Sequence, residues 1–186
     1  MKLYFAYGAN LNIDSMEYRC PDAVAVEPCY LSGWRLGFSG VATIRPDPDG
    51  AVAGALWAIS EADECSLDRF EGYPSLYRKE TIQIDGMEVM VYVMNADYPS
   101  EPGNNYLMTI AQGYQDWNLD LGYLAEAVER TEQETYDYDL QRSTQSRTGI
   151  DRISRLVADD LYMESSNDVR WLRDQWDSHR YPSTFE

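Results

Sequence analysis

Along this chain the spacing of apolar residues changes period several times, and each change marks an element. Tyr4-Phe5-Ala6-Tyr7 reads as an aromatic strand that stops at Gly8. Residues 12–19 predict a short helix, capped by Asn12 or Asp14 and ended by Cys20-Pro21, because a residue ahead of proline is pushed out of helical geometry. Residues 23–38 are extended in pattern, with bends at Gly33 and Gly37. Residues 41–45 and 51–59 flank Pro46-Asp47-Pro48-Asp49-Gly50, whose prolines and glycine predict a hairpin turn. Ser60, with Asp63 and Glu64 after it, caps a helix to about Phe70, with Leu67 and Phe70 expected inward and Glu71 at its end. Residues 77–84 and 88–94 alternate as two strands about Asp85-Gly86, a pair that favours a two-residue turn.

The rest of the chain reads as helical. Pro99, Pro102 and Gly103 break any period over residues 95–104, which predicts a loop long enough to act as a lid. Leu107, Ile110, Tyr114 and Trp117 recur at helical spacing, and another helix is predicted over 122–131. Residues 132–148 are polar and nearly aperiodic, and read as a linker. Beyond them, Ile150, Ile153, Val157 and Leu161 form one apolar stripe, and Val169, Leu172 and Trp176 another. These predict two amphipathic helices that pack on the main domain or on a second copy, as a homodimer. The expected fold is α+β. A curved, mostly antiparallel, barrel-like sheet with flanking helices spans 1–131, a linker spans 132–148, and a C-terminal helical extension spans 149–186.

Composition narrows the class. With 186 residues, 44% hydrophobic, the chain can bury one sizeable core and carry an appendage. No run approaches the length of a membrane helix, and Lys2 leads straight into a strand, so neither a membrane partner nor a signal peptide is expected. A net charge of -17 repels nucleic-acid phosphates, so nucleic acid is not an expected partner either, whereas cationic ligands gain. Such a surface, with Lys2 and Lys79 as its only lysines, also serves solubility or salt adaptation. Cys20, Cys29 and Cys65 are odd in number and lack C-x-x-C spacing, which indicates no disulfide framework or thiolate zinc site and fits a reducing cytoplasm. His179, near the C-terminus, is the single histidine. No metal or cofactor is expected, and proton chemistry falls to carboxylates and tyrosines.

Two stretches stand out as candidate chemistry. A strand ending in Gly8-Ala9-Asn10 ahead of a helix offers backbone N–H groups to a carboxylate, phosphate or oxyanion, although the same pattern also makes an ordinary connection. About sixty residues on comes Leu67-Asp68-Arg69-Phe70-Glu71-Gly72-Tyr73-Pro74, then Leu76-Tyr77-Arg78-Lys79-Glu80. Together with Leu31-Ser32-Gly33-Trp34-Arg35-Leu36-Gly37-Phe38 and Val52-Ala53-Gly54-Ala55-Leu56-Trp57 between them, these resemble the gamma-glutamylcyclotransferase-like (AIG2-like) family over residues 2 to about 128. That family's pattern is Tyr-Gly-Ser-Asn-Leu after the first strand and Glu-Gly after Leu-Asp. Ala9 stands where the family usually has Ser.

The resemblance implies an enzyme that folds a gamma-glutamyl group onto itself, giving 5-oxoproline and releasing the attached amine or amino acid. It assigns proton transfer to Glu71 and substrate binding to Tyr7, Gly8, Ala9, Asn10 and Leu11, with Tyr77, Tyr92 and Tyr106 matching pocket tyrosines. Whether the loop holds the substrate's alpha-carboxylate or its reacting oxygen stays open. Arg19, Arg35 and Arg78 are the candidates to pair with a substrate carboxylate, with plain surface arginine as the alternative reading. The alternative is a binding or interaction protein that keeps the pocket without turnover, and Ala9 favours it. A hydrolase or transferase in the same pocket is a third reading, which needs another acceptor to beat the substrate's own amine.

Overall fold

The computed structural model describes residues 1–161. The aromatic opening is β1 (Lys2–Ala6), the middle strand of a five-stranded sheet of order β2-β3-β1-β5-β4. It runs antiparallel to β3 (Ala42–Ile59), from Lys2 opposite Ile59 to Ala6 opposite Ala55, and parallel to β5 (Met87–Met94), with Tyr4 beside Met90. The expected α+β architecture is present, and the sheet is mostly antiparallel. Its order ends at β2 (Val24–Phe38) and β4 (Tyr77–Ile84), so it is open rather than a closed barrel. Gly54 shows why the central strands sit so close: a Cβ there would lie 2.4 Å from the Phe5 ring.

Two local expectations are corrected. The hairpin joining β2 and β3 turns at residues 39–41, where Phe38 pairs with Ala42 and Gly40 has φ 79°, and not at Pro46–Gly50. Pro46 lies opposite Trp34 and Ala51 opposite Ser32, so residues 47–50 bulge out opposite Gly33 alone. A bulge tolerates prolines, which have no N–H for a ladder, and it left a turn-like signature in the sequence. The second correction concerns α2 (Glu61–Glu71). Its capping box of Ser60 and Asp63 and the buried Leu67 agree with the pattern, but Phe70 is 49% exposed rather than inward. The β4–β5 hairpin turns at Asp85 and Gly86 with φ of 50° and 79°, the two-residue turn expected.

Helices complete the frame. Asn12 caps α1 (Ile13–Arg19) by accepting from the Ser15 N–H at 2.9 Å. In α3 (Asn104–Asp116) Ile110 and Tyr114 are fully buried, and Gly113 allows the helix to seat on the 3-10 turn Ala9–Leu11. The stretch 132–148, read as a linker, is helical and belongs to α4 (Leu121–Leu161). Leu124, Ala127 and Thr131 are buried one turn apart, whereas residues 139–149 are exposed. A solvated helix shows no apolar stripe, so it reads as aperiodic. Same-face pairs such as Gln133 with Asp137 add local support. By its contacts the chain divides into two units, Met1–Tyr138 and Asp139–Glu186. Val169, Leu172, Trp176 and His179 lie outside the described residues. Among the described residues no helix is long and apolar enough to cross a membrane.

Candidate active site

Where β1 ends, its outgoing turn meets the last turn of α2, and a cavity opens between them. Tyr7, Gly8, Ala9, Asn10, Glu71, Tyr77, Tyr92 and Tyr106 line it, together with Tyr4, Ala42 and Phe70. The local sequence explains this placement. Gly72, in the left-handed region at φ 63°, stops α2 directly after Glu71 and sends the chain away, leaving the Glu71 carboxyl on the cavity wall. Gly8 allows the opposite wall to close, since a Cβ there would sit 3.1 Å from the Ala42 Cβ and 3.3 Å from the Tyr106 hydroxyl.

Glu71 Oε1 accepts a hydrogen bond of 2.8 Å from Asn10 Nδ2. The same amide nitrogen donates to the Tyr4 hydroxyl at 2.8 Å, and Asn10 Oδ1 accepts from Arg19 Nη1. Burial of the Glu71 carboxyl pushes its pKa up to about 7, against the opposing pull of the Asn10 bond and the Arg19 charge. Desolvation penalises the charged form, and the C-terminal end of a helix dipole acts in the same direction. The site thus holds a carboxyl group poised to exchange a proton near neutrality, which is what general acid–base catalysis requires.

The phenols divide by where their protons go. Tyr7 donates to the Tyr92 carbonyl at 2.6 Å, Tyr77 to the Ala42 carbonyl at 2.6 Å, and Tyr92 to Asp68 Oδ1 at 2.6 Å. Tyr4 accepts from Asn10, and Tyr106 accepts from the Ala42 N–H at 3.1 Å. Tyr4 and Tyr106 therefore keep a hydroxyl proton to offer a ligand. Burial raises the pKa of all five, most weakly for Tyr106, at about 12, where the Ala42 and Ala9 N–H groups offset part of it. Asp68 is in turn bridged to Lys79 Nζ at 2.7 Å, and Lys79 reaches Glu64 at 2.7 Å, tying the β4 edge to α2.

Of the residues expected at the site, all line the cavity except Leu11, which is wholly buried. The Leu11 N–H is bound to the Gly8 carbonyl at 2.9 Å and its carbonyl to Trp117 Nε1 at 2.8 Å, so its place is in the core beneath the turn. Of the three arginines, only Arg19 reaches the site. Arg35 pairs with Glu134 at 2.8 Å, and Arg78 with Glu80 at 2.6 Å. Tyr4 and Ala42 are lining residues that the motifs did not mark, while Phe70 stands inside the second motif, where the pattern assigns it to the core. Tyr4 lies in the strand ahead of the motif, and Ala42 carries no chemical signal in its side chain.

The gamma-glutamyl cyclotransferase, AIG2-like family model matches residues 4–119. The chain is 30% identical over 139 residues to the gamma-glutamylcyclotransferase of Bos taurus, covering 65% of this chain and 74% of that protein. It is 29% identical over 139 residues to the protein of the same name from Homo sapiens, with the same coverage. A solved structure of a gamma-glutamyl cyclotransferase superposes with a TM-score of 0.59 over 68% of this chain and 85% of its own, at 24% identity, a likeness of fold. With both motifs on one cavity and the match running across the sheet and α3, this chain belongs to the gamma-glutamyl cyclotransferase, AIG2-like family.

Proposed function

We propose that the protein cyclises a gamma-glutamyl group to 5-oxoproline with release of the amine or amino acid attached to it. The observation that carries this reading is the Glu71 carboxyl, lifted to about pH 7 and bonded to the loop that follows β1. The relatives named gamma-glutamylcyclotransferase support it.

In this scheme the substrate's alpha-ammonium gives a proton to Glu71, and the freed nitrogen attacks the gamma-carbonyl carbon of the same molecule. A new carbon–nitrogen bond closes the five-membered ring, and the carbonyl oxygen takes up negative charge. Collapse of that oxyanion breaks the bond to the departing nitrogen, which receives the proton back from Glu71. The ring nitrogen then gives its second proton through the freed Glu71 carboxylate to the released amine, which departs as an ammonium. No water is consumed. Because both reacting groups belong to one substrate, holding it in a ring-like pose removes much of the entropic barrier. Tyr4 and Tyr106, with their hydroxyl protons uncommitted, are suited to the oxyanion or the substrate carboxylate. The acidic surface favours a cationic leaving portion, such as a gamma-glutamylated polyamine or lysine side chain.

The second reading, a binding protein without turnover, draws on Ala9, which cannot supply the hydroxyl that the family usually has there. Incubating the protein with a panel of gamma-glutamyl amines and identifying the product separates the readings. The proposal expects 5-oxoproline and free amine in equal amounts. Glutamate in place of 5-oxoproline would mean hydrolysis, and binding without either product would mean the second reading.

A further inference from the structure

Asn10 has an amide with two unlike ends, and three groups compete for it. Glu71 Oε1 and the Tyr4 hydroxyl oxygen both lie 2.8 Å from Nδ2, while Arg19 Nη1 donates to Oδ1. Arginine has only donors, so whatever faces Arg19 must be an acceptor. The Arg19 guanidinium is itself held over the Phe70 ring, with its central carbon 3.4 Å from the ring centre. Phe70 directly precedes Glu71 at the end of α2, so the ring that carries the guanidinium and the carboxyl that receives the amide are neighbours on one helix turn. This also accounts for the outward exposure of Phe70, which gives the guanidinium a platform.

We infer that Arg19 is a positioning residue: it locks the Asn10 amide in the orientation that presents its NH2 group to Glu71 and keeps its oxygen away. The inference rests on the proposed role of Glu71. Without the guanidinium, a buried amide flanked by a carboxyl and a phenol has two usable orientations, because a protonated Glu71 can donate to Oδ1 as readily as a carboxylate accepts from Nδ2. The flipped state stabilises the protonated acid, so a site that loses Arg19 holds its proton to higher pH.

The other groups facing Glu71 do not replace this control. Tyr4 approaches from β1, Tyr7 from the segment that follows it, Tyr77 from β4, Tyr92 from β5 and Tyr106 from α3, and burial holds all of these phenols above their ordinary pKa. They stay neutral over the range in which Glu71 titrates. Asp68, one turn back on α2, is paired with Lys79. Arg19 is the cation that acts on Glu71 among the described residues.

The test is the pH profile of kcat/KM for wild type, Arg19→Met and Arg19→Lys, with 5-oxoproline as product. Arg19→Met keeps the aliphatic stem over Phe70 and removes the donors. It should move the acid limb upward by about one pH unit or more, lowering the rate roughly 5-fold or more at neutrality with recovery in alkali, and Arg19→Lys should restore part of the shift. A profile lowered equally at every pH, or one that superposes on wild type, overturns the inference. An NMR titration of the Glu71 side-chain carbon in the same proteins reads the shift without turnover. If wild type makes no 5-oxoproline, the functional reading fails, while the titration still decides on Arg19. Should Arg19→Met not fold, Arg19→Lys and Arg19→Gln carry the same comparison.

Discussion

Asn10 and Glu71, sixty-one residues apart in sequence, share a hydrogen bond of 2.8 Å at the junction of the β1 turn and α2. That bond is the structural reason for treating two separate motifs as one site, and its removal has a defined consequence. Asn10→Ala takes away a donor to the carboxylate, so the Glu71 pKa should rise further. At neutral pH kcat/KM should drop about 10- to 100-fold, with the acid limb displaced upward. An unchanged profile would show that the bond has no part in the reaction.

The carboxyl of Glu71 also leaves a mark on stability. Its pKa in the fold, about 7, lies above the ordinary 4.5, so the folded state binds the proton more tightly than the unfolded state. This contribution is fully present below the unfolded value and is lost as pH rises through the folded one. Glu71→Gln never ionises. It should therefore match wild type in thermal unfolding at about pH 4 and exceed it at about pH 9, by roughly 1 to 3 kcal/mol. A wild type that remains the more stable partner at alkaline pH would contradict the burial of this group.

Lys79 makes the opposite kind of prediction. It bridges Asp68 and Glu64, and Lys2 adds a second contact to Glu64 at 2.5 Å. These lysines hold the Glu64 pKa below its ordinary value, so their stabilisation is present above that value and fades as pH falls through the folded one. Lys79→Met should lose about 1 to 2 kcal/mol at neutral pH and progressively less in acid. It should also loosen Tyr92, whose hydroxyl is held by Asp68. Unfolding curves across a pH series check both the size and the direction.

Gly113 tests how the cavity floor is held. A Cβ at this position of α3 would fall 2.5 Å from the Leu11 Cβ and 2.7 Å from the Asn12 backbone nitrogen. Gly113→Ala ought to destabilise by about 1 to 3 kcal/mol despite alanine's better helix propensity. Denaturant unfolding would show this, and a neutral result would mean that α3 sits farther from the turn.

Much of this arrangement is legible in the sequence where one short stretch carries its own physical signal. Asn12, Ser60 with Asp63, and Asp85-Gly86 each specify a cap or turn within a few residues, and all three appear in the structure. The residues 46–50 deceive because two prolines and a glycine signal departure from a regular strand without saying whether the chain reverses or bulges. Residues 132–148 deceive because most of the stretch, from residue 139 on, is solvent-exposed helix with no apolar face to betray it. At the site, Glu71 and the β1 turn are legible through the family pattern, while the use of Arg19 is not. Arg19, Arg35 and Arg78 are equal candidates in the sequence, and only the stacking on Phe70 and the bond to Asn10 distinguish the one that matters.

The central claim is that the Glu71 carboxyl carries the proton in an intramolecular ring closure. Its most direct test is the rate of 5-oxoproline release from a gamma-glutamyl amine by wild type and by Glu71→Gln, which keeps the acceptor for Asn10 and removes the titrating proton. The account predicts steady release by the wild type and a loss of about 100-fold or more in the variant. Release at an undiminished rate by Glu71→Gln would contradict it.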